Sequence, residues 1–154
     1  MTRVAARAMA FAVAMPFSAF AVPPVACGVL KIEEVNQIAA GTITGTQVRK
    51  AGNPSECSFI DSRNASVVLV SVREVKYAAE NELQYERENL EKIYRSKAKW
   101  LSPAIGDNAF WLPANKQLVF RKGKTIGSVT FARAANQNEI DTAQVARLVE
   151  AQLQ

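Results

Sequence analysis

The sequence predicts one domain of the α+β class, with an antiparallel sheet of about five to six strands packed against about three helices. Three segments carry apolar residues at helical spacing, and two groups of β-rich segments lie between them. Short turn sequences join the strands within each group, which favours antiparallel pairing. The predicted order is α-βββ-α-βββ-α, which resembles a duplicated unit, although no residue-level repeat accompanies it.

The first helix is predicted for residues 30–39, where apolar residues recur at intervals of three or four. Gly41 follows it, and glycine commonly ends a helix. Residues 42–50 (TITGTQVRK) are interpreted as a weak strand or an extended loop, and residues 51–56 (AGNPSE) as a turn.

Two stronger strands follow, at residues 57–62 (CSFIDS) and 65–75 (ASVVLVSVREV), with a tight turn around SRNA. In the second strand Val68, Val70 and Val72 share one face. The run VVLV is apolar on both faces, as expected of a central strand covered on both sides or nearly so.

The longest helix signal covers residues 77–100, from YAAENELQYERE to KAKW. Its many charges are interpreted as a solvated helix face. Its apolar stripe consists of Leu83, Leu90 and Tyr94, with Ala79 and Ile93 beside it.

Three further strands are predicted at residues 109–113 (AFWLP), 117–122 (QLVFRK) and 125–132 (TIGSVTFA), connected by PANK and KGK. The chain ends in an amphipathic helix that begins at residue 139, with Asn138 or Asp141 near its cap. Its apolar positions are Ile140, Val145, Leu148 and Val149.

Residues 1–21 are expected to be a secretory signal peptide. Arg3 and Arg7 precede a short apolar run, and AFA, ending at Ala21, is a small-x-small cleavage site. A membrane anchor is the alternative, but the uninterrupted run is shorter than the roughly 20 residues that a span requires. Cleavage would leave residues 22–154, the size of a single domain.

Composition excludes several classes of function. The chain has no histidine, so it contains no Ser-His-Asp or Cys-His catalytic group and no histidine-bound metal or haem. The net charge is +5, and removal of the signal peptide with its two arginines would leave +3. This mild positive charge is spread along the chain, which does not indicate a nucleic-acid binder. We expect no cofactor, no metal and no membrane-spanning segment.

Cys27 and Cys57 are the only cysteines. After secretion they would enter an oxidising compartment, where they are expected to form a disulfide. The alternative is a lipoprotein anchored at Cys27. We consider that anchor unlikely because Pro24 lies three places before the cysteine, where a lipobox requires a large aliphatic residue.

Two segments are candidates for binding. Residues 99–111 contain Trp100, Asp107 and Trp111, which either bind a partner at a loop or cap the core and shape a turn. The second segment is a predicted hairpin tip, which would contact an anionic lipid, peptidoglycan or an acidic protein, or else form a solvated turn. Its basic residues are Arg121, Lys122 and Lys124.

Several motifs together resemble a known family: CSF, VVLVSV, IGDNAFW, LVFRKG and ARLVEAQL, of which the run from Gly106 to Gly123 is the most recognisable. They are similar to small bacterial secreted and lipoprotein envelope domains of the DUF3558 type. The resemblance implies an extracytoplasmic α+β domain with no established enzymatic activity and no catalytic residue to transfer. Many such domains are lipoproteins, and this chain departs from them at Pro24.

The sequence therefore favours a secreted or periplasmic, non-catalytic binding domain of the bacterial cell envelope, with an unknown protein or envelope component as partner. The alternative is a small inhibitor or immunity-type protein that blocks a partner enzyme. An enzyme with carboxylate or Ser/Lys chemistry is a third class, which would require two close, buried carboxylates in a concave pocket.

Overall fold

In a computed structural model, residues 25–77, 79–132 and 139–153 form three α-helices, seven strands and two short 3-10 helices. The predicted signal peptide, Pro24 and Asn138 lie outside these described residues. The elements are, in order, α1 Ile32–Ile38, β1 Gly45–Lys50, β2 Ser55–Ile60, β3 Ser66–Glu74, α2 Ala79–Tyr94, β4 Lys99–Trp100, β5 Asn108–Leu112, β6 Gln117–Lys122, β7 Thr125–Phe131 and α3 Glu139–Gln152.

All the strands belong to one antiparallel sheet, with the order β1-β2-β3-β7-β6-β5-β4. Two meanders, β1 to β3 and β4 to β7, meet where β3 pairs with β7. The α+β class is therefore confirmed. The β-branched run of β3 lies near the middle of the sheet, as its apolar composition predicts.

The strand count is higher than predicted because the long helix ends at Tyr94 rather than at residue 100. Lys99 and Trp100 form β4, which pairs with β5 at the edge of the sheet. Arg95 has a positive φ of 49°, and this left-handed conformation ends the helix.

Helices α1 and α3 lie on one face of the sheet and α2 on the other, and the side chains of β6 point alternately to these two faces. Leu118 and Phe120 point into the core beneath α1 and α3, whereas Val119 between them points towards α2. This alternation is the two-residue period of a strand. The first core is the larger, and α2 covers the second mainly over β5, β6 and β7.

Three apolar positions of the predicted helices are exposed. They are Ile93, Tyr94 and Ile140, which the spacing placed on or beside an apolar stripe. Ile93 and Tyr94 lie in the last turn of α2 and Ile140 in the first turn of α3, so all three are at helix ends. Val145 and Val149, in the middle of α3, are fully buried as expected.

Gly127 is required where β6 and β7 pack against each other. It is the register partner of Phe120, whose ring lies across it. A Cβ atom at residue 127 would overlap that ring, so only glycine leaves room for the aromatic side chain in the larger core.

Candidate functional site

The half of the sheet that α2 does not cover forms a polar groove beside this helix. Because Cys57, Val70 and Val72 point into the larger core, their neighbours along β2 and β3 point to the opposite face. The groove is a depression of about 250 Å³. Its lining residues are Pro54, Glu56, Leu69, Ser71, Arg73, Glu86, Gln117, Ile126 and Ser128.

The floor of the groove is made of small hydroxyl side chains. Ser71 of β3 and Ser128 of β7 are direct register partners, and Glu56 is the partner of Ser71 on the other side. Side chains in such pairs have Cβ atoms about 5 Å apart. Neither serine hydroxyl forms a hydrogen bond with any other described residue, so both can bond to an incoming ligand.

An ion-pair cluster forms the wall between the groove and α2. The guanidinium of Arg73 donates to Glu86 at 2.7 Å and to Glu82 at 3.5 Å. All three side chains are partly exposed. The cluster joins β3 to α2 along this side of the groove.

The groove offers several polar groups to a ligand. It presents hydroxyl and amide groups together with the partly buried side chain of Leu69. Its two carboxylates, Glu56 and Glu86, are half-buried, and Glu86 is already paired with Arg73.

The two tryptophans of the first candidate segment lie on opposite faces of the sheet. Trp111 is 7% exposed and belongs to the larger core. Trp100 is 37% exposed and packs edge-on against Phe110, with ring centroids 5.8 Å apart. The guanidinium of Arg87 lies over the Trp100 ring, 5.0 Å from its centroid.

Asp107 organises the hairpin between β6 and β7. Its carboxylate accepts a hydrogen bond from the Gly123 N–H at 2.8 Å and pairs with Arg121 at 3.2 Å. Gly106, beside it, has a positive φ, and a Cβ there would collide with the carbonyl of Arg121. Residues 106 and 107 are therefore placed against the hairpin and do not form a groove with Trp100.

The predicted basic tip is largely neutralised by the helices on the two faces. Strand alternation directs Arg121 towards α2, where it meets Glu80 at 3.3 Å. It directs Lys122 towards α3, where its ammonium lies 3.0 Å from a Glu150 carboxylate oxygen. Lys124 is exposed at the turn. Arg121 and Lys122 thus connect the sheet to two helices.

The predicted disulfide between Cys27 and Cys57 is present, with Cα atoms 5.0 Å apart. It joins the short helix Ala26–Gly28 to β2, and the backbone N–H of Ala26 also donates to the Ser55 hydroxyl at 2.9 Å. These contacts hold the amino-terminal segment against the larger core, on the face opposite the groove.

The groove residues were not among the candidates that the sequence suggested. A signal for them exists in the alternation of VVLVSVRE and TIGSVTF, which places Ser71, Arg73 and Ser128 on the polar side of two strong strands. Strand alternation does not reveal which strands become neighbours, so this signal cannot by itself assemble the site.

No protein-family model matches the chain, and no curated protein matches it either. Within the described ranges, no helix is long and apolar enough to span a membrane. In the same part of the chain, no three or more Cys, Asp or Glu residues are grouped as the ligands of a metal ion would be.

Proposed function

We propose that this protein is a secreted or periplasmic, non-catalytic binding domain of the bacterial cell envelope, and that its ligand occupies the polar groove. The observation that carries the proposal concerns Ser71 and Ser128, on the floor of the depression beside α2. Their two hydroxyls form no hydrogen bond with any other described residue. The resemblance to DUF3558-type domains is consistent with this role and remains a hypothesis.

The proposed location is supported by the disulfide, since such bonds form and persist mainly in oxidising compartments. The sulfur of Cys27 is used in that bond and cannot also carry a thioether-linked lipid. Intact mass spectrometry of the exported protein tests this. We expect a chain that begins at Val22 and is two hydrogens lighter than the reduced form. A diacylglycerol-sized increment would contradict it.

The groove chemistry favours a ligand rich in hydroxyl and amide groups. Serine hydroxyls both donate and accept hydrogen bonds, and the Gln117 amide adds a further polar group. Arg73 is held by two carboxylates, and Glu56 forms no ion pair with any described residue, so the free charge that faces the ligand is negative. Glycan and peptide-stem groups of peptidoglycan have this chemistry, and soluble muropeptides are the appropriate probe.

Titration of the ¹⁵N-labelled protein with muropeptides, followed by NMR, tests the proposal. We expect the amide shifts to concentrate in β2, β3 and β7. Ser128→Tyr would fill the floor and abolish the shifts, whereas Thr46→Tyr, on exposed β1, is a matched control that should leave them unchanged. Shifts located away from the groove, or equal loss in both variants, would refute the ligand site.

The same two variants separate binding of an envelope ligand from inhibition of an enzyme. Wild type and variants are used to capture partners from an envelope extract, and each complex is assayed for lost enzymatic activity. The inhibitor function would be favoured if one enzyme forms a stoichiometric complex with the protein and is inhibited equally by wild type and by Ser128→Tyr. The inhibitory surface would then lie outside the groove.

A further inference from the structure

A second surface, independent of the groove, lies where α2 ends. Residues 92–100 (KIYRSKAKW), here called the basic–aromatic segment, contain four basic residues and no acidic residue. They also include three exposed large apolar side chains: Ile93 at 70%, Tyr94 at 41% and Trp100 at 37%. Exposed apolar side chains grouped with one sign of charge mark an interaction surface.

The chain doubles back within this segment, which brings its two halves to the same edge of the molecule. The carboxylate of Glu91 accepts a hydrogen bond from the Ala98 N–H at 2.8 Å, so the turn folds onto the last part of α2. Lys99 and Trp100 then form β4, the terminal strand of the sheet. Packing between Phe110 and Arg87 holds Trp100 in a defined orientation at this edge.

Three of the four cations of the segment are available to a partner, whereas Lys99 is paired with Glu139 at 3.0 Å. Lys92 and Arg95 form no ion pair with any described residue, and Lys97 has only a loose contact, 3.9 Å, with Glu91. A depression of about 440 Å³ lies among them, lined also by Ser96, Glu88 and Glu91. Glu91 is engaged by the Ala98 N–H and by Arg87 at 3.9 Å, so the positive charges dominate this surface.

We propose that the basic–aromatic segment docks the domain on the surface of an anionic phospholipid bilayer. Tyrosine and tryptophan rings favour the interfacial region of a membrane, and an aliphatic side chain such as Ile93 can enter the acyl boundary. Lysine and arginine next to them pair with lipid phosphates. A nucleic acid or an acidic peptide would bind the cations but would not take Ile93 and the aromatic rings into an apolar phase, so the exposed apolar side chains favour the bilayer.

Vesicle flotation tests this docking. The exported protein is used after its mass has been determined, so that an uncleaved apolar amino-terminal segment cannot provide the binding. Vesicles that contain phosphatidylglycerol are compared with vesicles of phosphatidylcholine alone. We expect binding to the anionic vesicles that weakens as salt is raised. No binding at low salt would overturn the proposal.

Charge variants identify the surface. Lys92→Gln with Arg95→Gln should weaken the binding constant about 25-fold, because each cation near an anionic surface contributes about fivefold. The matched control is Arg49→Gln with Lys50→Gln, the same change of charge on exposed β1, and should have little effect. Equal loss in both doubles would show attraction to overall charge and would refute a specific docking surface.

Fluorescence reports whether the aromatic side chains reach the bilayer. Trp100 should shift to shorter wavelength on anionic vesicles and be quenched by brominated lipids, whereas Trp111 is buried in the core and should not respond. Trp100→Phe should therefore abolish the change while flotation persists. Binding with no change in Trp100 emission or quenching would contradict docking through this segment. Ser128→Tyr should leave both signals intact, which separates this proposal from the groove.

Discussion

Loss of the disulfide should lower the free energy of unfolding by about 3.5 kcal/mol. The bond joins residues 30 apart, and closing a loop of that length removes conformational entropy from the unfolded chain. For a domain of this size the loss corresponds to a decrease in Tm of about 10 to 15 °C. Urea unfolding of wild type and of the double variant Cys27→Ala/Cys57→Ala, monitored by circular dichroism, measures it.

Reduction of the wild-type protein provides the matched control. Cys57 is fully buried, so its replacement by alanine also removes packing volume, whereas reduction opens the loop and leaves the side chain in place. A reductant should destabilise wild type and leave the double variant unchanged. If oxidised and reduced wild type unfold at the same urea concentration, the loop-entropy explanation is refuted.

Two packing predictions concern the two cores. Gly127→Ala should cost about 1 to 3 kcal/mol because its Cβ would overlap the ring of Phe120. Gly28→Ala, which has no atom within 4 Å of its new Cβ, should change stability by less than about 0.5 kcal/mol in the same urea assay. Leu83→Ala should cost about 2 to 5 kcal/mol because this side chain anchors α2 in the smaller core. Tyr85→Ala, on the exposed side of α2, should be nearly neutral in thermal unfolding, and a comparable loss would contradict the assigned helix face.

Local patterns predicted most of the secondary structure because the spacing of apolar residues along a segment indicates whether it is a helix or a strand and which of its faces is buried. The valines of β3 and the residues of β6 alternate as a covered sheet requires, and Val145 and Val149 lie on the buried face of α3. Patterns failed at element ends. Residues 95–100 continue the composition of a helix, yet Lys99 and Trp100 pair with β5, a long-range contact that no local period encodes.

For the candidate binding residues, too, local patterns predicted some positions and long-range contacts decided the others. Trp111 is where strand position predicts a core tryptophan, whereas the exposure of Trp100 depends on β4 being an edge strand. Arg121 and Lys122 looked like a free basic tip in the sequence. Their charges are paired because α2 and α3 happen to bring Glu80 and Glu150 over opposite faces of one strand.

By itself the sequence determined the α+β class, the two sheet halves and the pairing of the only two cysteines. The spacing of apolar residues can be read along the chain, and each cysteine has only one other cysteine with which it can pair. Only the tertiary structure decided that α2 covers one part of its sheet face and leaves Ser71 and Ser128 open beside Arg73. It also decided that Ile93 and Tyr94 remain exposed at the edge of the sheet. The physical reason is that periodicity records a residue's tendency to be buried, while burial itself requires another element, distant in sequence, to pack over it.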